Sequence, residues 1–479
     1  MSGPSPVDDV EVDEDGRSSS AFRTQSGDAD ANDGSAADST TGGSGDGTVA
    51  IVGAGFTGLS TLHALTERGV DAVVYESSDE VGGVVRSREV EGKLLEIGPQ
   101  RLRLTDAIRA MVTDLDIADE LLTADDDLPL YVYADGELRE VPRSLSALRR
   151  TDLLSTRGKL RLLAEPLTGP IDPAESAQAA FVRKFGSEAY TNLIAPLFGG
   201  TYGSDPAKMP AEYALAPLMG LEAKRGSLLR AALDRLVFAD DETPPPASFE
   251  SGLQRLPEAL AAAHADRIHR ETPVTGIERA DSGTDSADTE WLVHTGADTR
   301  RVDHVVLTTP ADTTADIVEG ADAESAAALR EFNYNPLVLV HLDSPATADG
   351  FGYQVRRTEP LRTLGVTWNA SLFDRDGVYT VFMGGMHDPG AVERDEDTLG
   401  ETAVEEFRHV MGADADVLHV ERIPQAFPAW DRSWDASQRV DLPDGLTLAT
   451  NYTGRMGLPS RVREARRLAG ELSRMANRV

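Results

Sequence analysis

A glycine-rich turn between residues 53 and 58 carries the clearest chemical signal in the chain. The apolar run Thr48-Val-Ala-Ile-Val52 predicts a buried strand, and a helical stretch follows the turn. Gly53 permits a tight turn, Gly55 lets the backbone approach a phosphate, and Gly58 lets the helix pack near the strand. The N–H groups at the start of this helix stabilise an anion. The spacing therefore predicts a site for the pyrophosphate of a dinucleotide.

An acidic residue closes the next predicted strand. Asp71–Tyr75 has the apolar character of a second strand, and Glu76 follows it 23 positions after Gly53. A carboxylate at this place accepts hydrogen bonds from the two ribose hydroxyls and disfavours a 2′-phosphate. Strand, turn, helix, strand and acid together predict a βαβ dinucleotide site, and NADP is disfavoured.

The segment after Glu76 favours FAD over NAD. Gly82 and Gly83 can lie close to phosphates, and Arg86 supplies a fixed positive charge beside them. Gly98 and Pro99 follow shortly after and would bring backbone against a flavin ring. Each feature alone also fits an ordinary turn or a solvated arginine, but their order is specific.

The elements that must position these residues occupy separate parts of the chain. Residues 1–47 are small and polar, with eleven acids against two arginines, and are expected to be disordered. Residues 102–246 have mainly helical patterns, for example at 107–115, 158–163 and 174–185. β-type runs follow at 267–270, 274–279, 291–295 and 304–308, then a sheet over 337–386 and a helix over 461–475.

Composition limits the class of protein. The chain has 46 Lys and Arg against 81 Asp and Glu, a net charge of −35. An acidic, lysine-poor surface fits a halophilic protein, whose charge repulsion salt screens, and it argues against a nucleic-acid partner. The chain has no cysteine, no apolar run long enough to span a membrane, no histidines at metal spacing and no secretory signal. We expect a cytoplasmic protein without a metal site.

These motifs resemble those of the flavin-dependent amine oxidoreductases, and within that superfamily they are most similar to protoporphyrinogen oxidases. The resemblance runs from Gly53 to Pro99 and continues in the same order through the later motifs. These are Ala195–Pro206, Lys224–Leu228, Phe249–Pro257, Thr272–Ile277, Thr308–Ala311 and Asn451–Pro459.

The resemblance implies an α/β protein with a Rossmann-like FAD-binding domain assembled from discontinuous segments. FAD-binding parts would lie at 48–101, 247–310 and 436–479, a mostly helical insert at 102–246 and a substrate-domain sheet at 311–435. Val274 would meet the adenine, and the terminal motif would place a helix start near the flavin. The predicted cofactor-binding residues are Gly53, Gly55, Phe56, Thr57, Gly58, Glu76, Gly82, Gly83, Arg86, Gly98, Pro99, Val274, Gly454, Met456, Gly457 and Leu458.

The implied reaction is the dehydrogenation of a porphyrinogen by hydride transfer to the flavin, in haem biosynthesis, with oxygen as the usual acceptor. No side-chain base is required, and none is assigned.

A propionate-bearing substrate needs cations, so Arg103, and secondarily Arg101, are candidate substrate-binding residues. The alternative for both is a solvated surface arginine. Trp430 and Trp434 are interpreted as core residues rather than pocket-lining ones. The sequence leaves open whether the protein contacts a membrane peripherally.

Other functions remain open at this point. Thr450 stands where the family usually has glycine, and Ala426–Asp431 replaces a Tyr-x-x-Gly-His pattern, so the substrate could differ. An amine oxidase, a carotenoid-desaturase-like enzyme and a non-catalytic flavin-binding scaffold are the alternatives. The absence of lysine after Lys224 counts against the amine oxidase.

Overall fold

The computed structural model describes residues 48–125, 127–232, 243–280, 290–296, 298–454 and 456–476. The tail over 1–47, expected to be disordered, lies outside them. The chain divides into two compact units. Among the described residues, a three-segment unit comprises 48–83, Leu256–Glu331 and 435–476, and a two-segment unit comprises Val84–Arg255 and Phe332–Trp434.

A five-stranded parallel sheet forms the centre of the three-segment unit. Its strands in spatial order are Ile268–His269, Ala72–Tyr75, Val49–Val52, His304–Leu307 and Leu446–Leu448. Nearly every residue of the three middle strands is buried, as expected for a parallel sheet covered on both faces. The sheet thus contains strands from all three segments of this unit.

Helices and a smaller sheet complete this unit. The first helix, Phe56–Thr66, packs against the C-terminal helix, Leu458–Ala476. The other helices are Arg255–Ala263, Ala311–Val318 and Ala323–Leu329, with a 3₁₀ turn at Ala265–Arg267. Arg255, the first residue of the first of these helices, is assigned to the other unit. Val274–Arg279, Trp291–Thr295 and Thr299–Val302 form an antiparallel sheet. The strands predicted near 274, 291 and 304 are therefore confirmed.

A seven-stranded mixed sheet dominates the two-segment unit. Its order is Asp416–Pro428, Tyr334–Asp343, Val378–Gly384, Gly365–Thr367, Gly352–Val355, Leu130–Ala134 and Glu137–Glu140. The helix Glu396–Met411 buries Leu399, Ala403 and Phe407 in the same core as Val340 and Tyr379. The expected sheet over 337–386 is confirmed. Two of its strands come from the stretch 102–246, which was expected to be mainly helical.

The remaining elements of this unit are short. Its helices are Asp106–Asp114, Leu145–Arg150, Thr156–Leu163, Ala177–Phe185, Ser187–Ala189, Ala195–Tyr202, Ala211–Ala214, Ala216–Arg225 and Asn369–Phe373; its other strands are Ser87–Val90, Lys93–Glu96, Leu102–Arg103, Leu121–Thr123 and Pro246–Phe249. The helix expected from residue 174 begins at Ala177, because the Ser176 side chain caps it by accepting from the Ala179 N–H.

A buried ion cluster holds the helical part of the two-segment unit together. The Lys184 ammonium donates to Glu165 at 2.9 Å and to Glu222, and all three side chains are almost fully buried. Glu165 also accepts from the Ser227 hydroxyl and from the Leu229 N–H. These contacts keep the pKa of Glu165 below its ordinary value against the opposing effect of its burial. Removing one partner would leave a buried charge uncompensated.

Candidate functional site

The turn after the first strand is shaped by Gly53 and Thr308. Gly53 has φ +102°, and a Cβ atom on it would lie 2.8 Å from the Thr308 hydroxyl oxygen. That hydroxyl donates to the Val52 carbonyl at 2.7 Å, while the Gly53 N–H donates to the Tyr75 carbonyl at 2.8 Å. The turn is therefore held from both neighbouring strands. Sequence reasoning placed Thr308 at a strand end but assigned it no part in the site.

The other two glycines of the motif have different surroundings. A Cβ atom on Gly58 would lie 2.0 Å from the Gly53 carbonyl oxygen, so no larger residue fits there. Around a Cβ on Gly55, by contrast, no described protein atom lies within 4 Å. Gly55 thus leaves open space beside the backbone, which suits the close approach of a phosphate.

The first helix starts without a side-chain cap. Its N-cap residue is Gly55, which has no side chain to cap it, its first turn contains no acid, and no side chain in the described part of the chain is recorded as accepting from its first N–H groups. The helix Glu396–Met411 differs, because Asp395 accepts from the Thr398 N–H. The N–H groups of Phe56, Thr57 and Gly58 are left for an anion. A flavin nucleotide's pyrophosphate fits this donor set.

Glu76 lies directly beside the glycine turn. Its carboxylate accepts from the Ala54 N–H at 2.7 Å and from the Ser78 N–H at 3.0 Å. These bonds fix the carboxylate at the end of the second strand. Because each carboxylate oxygen accepts more than one hydrogen bond, capacity remains for ribose hydroxyls.

The second glycine pair packs onto the first. Gly82 and Gly83 have φ +102° and +61°, in the region that favours glycine. The Gly82 N–H donates to the Ala54 carbonyl at 2.8 Å, and Gly82 pairs with Gly55 as an isolated bridge. A Cβ on Gly83 would come within 3.2 Å of the Gly55 Cα. The structure thus brings Gly53, Gly55, Glu76 and Gly82 together although up to 29 positions separate them.

The terminal motif leads into the C-terminal helix of the same unit. That helix begins at Leu458, and among the described residues a Cβ atom on Gly457 would meet only the Pro459 ring, at 3.9 Å. Gly454 lies against Arg461, whose guanidinium donates to the Thr450 carbonyl and pairs with Glu464. Burial lowers the pKa of Arg461 and raises that of Glu464. The sequence did not identify Arg461 as a site residue, because no local sequence feature distinguishes it from the many arginines around it.

The other predicted site residues have the following surroundings. Val274 starts the antiparallel sheet of the three-segment unit, and Met456 precedes the C-terminal helix. Arg86, Gly98, Pro99, Arg101 and Arg103 belong to the two-segment unit. A Cβ on Gly98 would lie 1.8 Å from the Val84 carbonyl oxygen, so glycine is required there for packing within this unit.

The three arginines of this group have protein contacts of their own. Arg86 lies 3.4 Å from the Glu421 carboxylate, Arg101 lies over the Phe351 ring at 5.2 Å, and Arg103 donates to the Pro244 carbonyl at 3.0 Å. Their roles toward cofactor and substrate stay predictions. Trp430 and Trp434 stack at 4.3 Å, and Trp434 is buried against Phe332, as a core position requires.

Comparison with known proteins identifies the family of the chain. The family model for flavin containing amine oxidoreductases matches residues 56–470. Protoporphyrinogen oxidase 1 of Spinacia oleracea chloroplasts is 29% identical over 448 residues, 85% of this chain and 78% of the relative. Coproporphyrinogen III oxidase of Staphylococcus aureus is 26% identical over 353 residues, 67% of this chain and 74% of the relative. A crystal structure of a protein from Exiguobacterium sp. 255-15 superposes with a TM-score of 0.74 at 20% identity, covering 90% of this chain and 100% of that one.

The glycine turn, the uncapped helix and the family match define a flavin-binding oxidoreductase. The chain belongs to the flavin containing amine oxidoreductases. It is an FAD-dependent enzyme, and the predictions of the family, the cofactor and the α/β fold class are confirmed.

Proposed function

We propose that the protein dehydrogenates a porphyrinogen, protoporphyrinogen IX or coproporphyrinogen III, to the porphyrin. The observation that carries this proposal is the similarity to porphyrinogen oxidases over most of both chains, 85% of this one and 78% of the spinach relative. A short shared motif would support a common cofactor only, whereas similarity of this extent includes the segments outside the nucleotide motifs.

The described residues supply the cofactor's binding contacts in this proposal. The N–H groups at Phe56–Gly58 bind the pyrophosphate, Glu76 binds the ribose, and Gly82 and Gly83 keep the backbone close to the phosphates. The predicted contacts also include those of Arg86, Gly98, Pro99, Val274, Gly454, Met456, Gly457 and Leu458. When bound, FAD accepts two electrons as hydride, so the protein needs mainly to bind and orient the substrate.

We assign the substrate's propionates to Arg103, with Arg101 as a second cation. Arg103 is partly buried, its backbone is fixed by pairing with Pro246, and its side chain donates to the Pro244 carbonyl. A guanidinium carries five N–H donors in a planar arrangement that can bind a carboxylate through two parallel hydrogen bonds. We further propose molecular oxygen as the electron acceptor, haem biosynthesis as the pathway, and the cytoplasm of a halophile as the setting.

Anaerobic reduction of the bound flavin tests the substrate assignment. The purified holoenzyme is mixed with protoporphyrinogen, coproporphyrinogen, a panel of amines, or NADH, and bleaching of the flavin absorbance is followed in a stopped-flow instrument. We expect rapid bleaching by one of the two porphyrinogens and none by amines or NADH. Bleaching by an amine alone would replace the proposal with an amine oxidase, and bleaching by no donor would support a scaffold.

A further inference from the structure

The C-terminal helix carries an ion pair in its first turns. Arginines and glutamates occur along this helix, and neither it nor any other helix among the described residues is long and apolar enough to cross a membrane. Two of its charged side chains are nevertheless buried. Arg461 and Glu464 are 6% and 14% exposed, and the Arg461 Nη1 lies 2.5 Å from the Glu464 Oε2. We call these two residues the buried pair.

The buried pair is in contact with the terminal motif. The Arg461 guanidinium donates to the Thr450 carbonyl, which also accepts from the Thr453 hydroxyl at 3.1 Å. A Cβ atom on Gly454 would lie 2.6 Å from the Arg461 Nη2 and 3.5 Å from the Glu464 Oε2. Gly454, a predicted cofactor contact, therefore packs directly on the buried pair, and the cation is the nearer of the two charges.

The buried pair is unfavourable for the fold by itself. Burial lowers the pKa of Arg461 and raises that of Glu464, because both charged forms lose contact with water. The Nε of Arg461 is also buried, without a hydrogen-bond partner among the described residues. Apolar residues of similar size often replace a buried ion pair with no loss of stability. Packing alone therefore does not explain why two charges lie beside the terminal motif.

We propose that the buried pair sets the reduction potential of the bound flavin, with Arg461 raising that potential and Glu464 lowering it. This inference rests on the proposed function, because it requires the terminal motif to contact FAD. Hydride transfer brings two electrons and one proton to the flavin, which leaves it with one more negative charge. A buried cation nearby stabilises that charge, whereas a carboxylate opposes it. Because Arg461 is nearer to Gly454, its effect prevails.

Reductive titration of the FAD-loaded full chain against a redox dye tests the proposal. Protein and dye are reduced together without oxygen, and the ratio of reduced to oxidised flavin is read from absorbance spectra at a fixed solution potential. Arg461→Met should decrease that ratio at least about threefold relative to wild type, and Glu464→Gln should increase it at least about threefold. A role in packing alone would weaken FAD binding in both variants without moving the two ratios in opposite directions.

A double variant guards against loss of folding in the single ones. Arg461→Met combined with Glu464→Gln leaves no buried charge without a partner, so it avoids the destabilisation that follows when one member of a buried pair is removed. Its ratio of reduced to oxidised flavin should lie between those of the single variants and below that of wild type, because the prevailing cation is lost. Flavin content and the unfolding midpoint verify that each variant is folded.

An exposed ion pair of the same unit provides the matched control. The Arg439 and Glu331 side chains pair with each other and are 48% and 53% exposed. Arg439→Met and Glu331→Gln make the same substitutions and should keep the wild-type ratio, because water screens these charges. KCl at about 2 M should preserve the differences among the variants of the buried pair, since salt screens buried charges only weakly.

Two results would overturn the proposal. One is a wild-type ratio in the double variant and in every folded single variant of the buried pair. The other is a shift in the same direction in Arg461→Met and Glu464→Gln. The titration uses no porphyrinogen, so it separates this inference from the substrate assignment: a flavin that neither porphyrinogen reduces would refute the proposed substrate and leave these ratios measurable.

Discussion

At the scale of single residues, Glu76 links the glycine turn to the predicted ribose site. Its carboxylate already accepts from two backbone N–H groups, which orient it without using all of its acceptor capacity. The sequence identified Glu76 from its position after a strand. The two backbone bonds could not be predicted, because they depend on how the loops at 54 and 78 come together.

Changing Glu76 to Gln should weaken FAD binding by about 1–3 kcal/mol, because bonds from the ribose hydroxyls to a charged acceptor are weakened. Titration of the apoprotein with FAD, followed by flavin fluorescence, measures the change. Glu67→Gln, at the far end of the first helix, is the control and should bind like wild type. Unchanged affinity in Glu76→Gln would remove Glu76 from the ribose site.

Arg103→Ala should raise the KM for a carboxylated porphyrinogen by about 10- to 100-fold, since a charged hydrogen bond to the propionate is lost. FAD content should stay at the wild-type level. Steady-state oxidation rates with oxygen measure KM and kcat separately. Arg109→Ala, exposed on the next helix, serves as the matched control. A KM equal to that of wild type would exclude Arg103 from substrate binding.

At the scale of elements, two glycines in the turn between the first strand and the first helix have different roles, one in packing and one in ligand binding. Gly58 is required by the neighbouring Gly53 carbonyl, whereas Gly55 faces open space and has φ −65°, which any residue adopts. The same motif thus contains one glycine needed by the fold and one that is free for a ligand.

Gly55→Ala should therefore leave the apoprotein's unfolding midpoint unchanged and weaken FAD binding at least about tenfold, since the added methyl group occupies the space predicted for the pyrophosphate. Gly58→Ala should lower the midpoint as well, because of the clash with Gly53. Gly390→Ala, also without close neighbours among the described residues and outside the cofactor motifs, should change neither quantity. Thermal unfolding with and without FAD separates the three cases. Wild-type FAD affinity in Gly55→Ala would contradict a pyrophosphate at this turn.

At the scale of the whole molecule, two buried histidines connect stability with pH. Burial lowers the pKa of His304 and of His341 to about 4. His304 hydrogen-bonds Thr447, and His341 contacts the Glu96 carbonyl and stacks on His419. Since both imidazoles are neutral in the folded protein, the unfolded chain binds protons first as the pH falls below about 6.5.

The free energy of unfolding should accordingly decrease as the pH is lowered from 6.5 to 4, by up to about 3 kcal/mol for each histidine. Denaturant unfolding at pH 7 and pH 5, at constant salt, measures this loss. The His304→Gln variant keeps a polar group beside Thr447 but cannot titrate, so its loss should be smaller. An equal loss in variant and wild type would show that His304 does not contribute.

The net charge of −35 predicts that the stability of the protein depends on salt concentration. Repulsion among the acids destabilises the compact state, and KCl at about 2 M reduces the screening length to a few ångströms. The unfolding midpoint should rise steadily from about 0.2 M to about 2 M KCl. A midpoint independent of KCl would contradict the halophilic assignment.

The amino-acid sequence by itself determined the βαβ unit, the FAD cofactor and the family, because these depend on local periodicity and on glycines at fixed spacing. It also located most later strands and the final helix, which begins three residues before the predicted start. It underestimated the strands within 102–246, where Leu130–Ala134 pairs with the distant Gly352–Val355 and Glu137–Glu140 extends the same sheet.

Only the tertiary structure decided which residues support the site and which are left exposed. Thr308 contacts Gly53 from 255 residues away, and Arg461 holds the Thr450 carbonyl. Leu160 and Leu163 are exposed because distant residues, Glu188 and Lys184, contact the other side of their helix. Such contacts depend on how separate segments approach each other in space, and no local pattern encodes that approach.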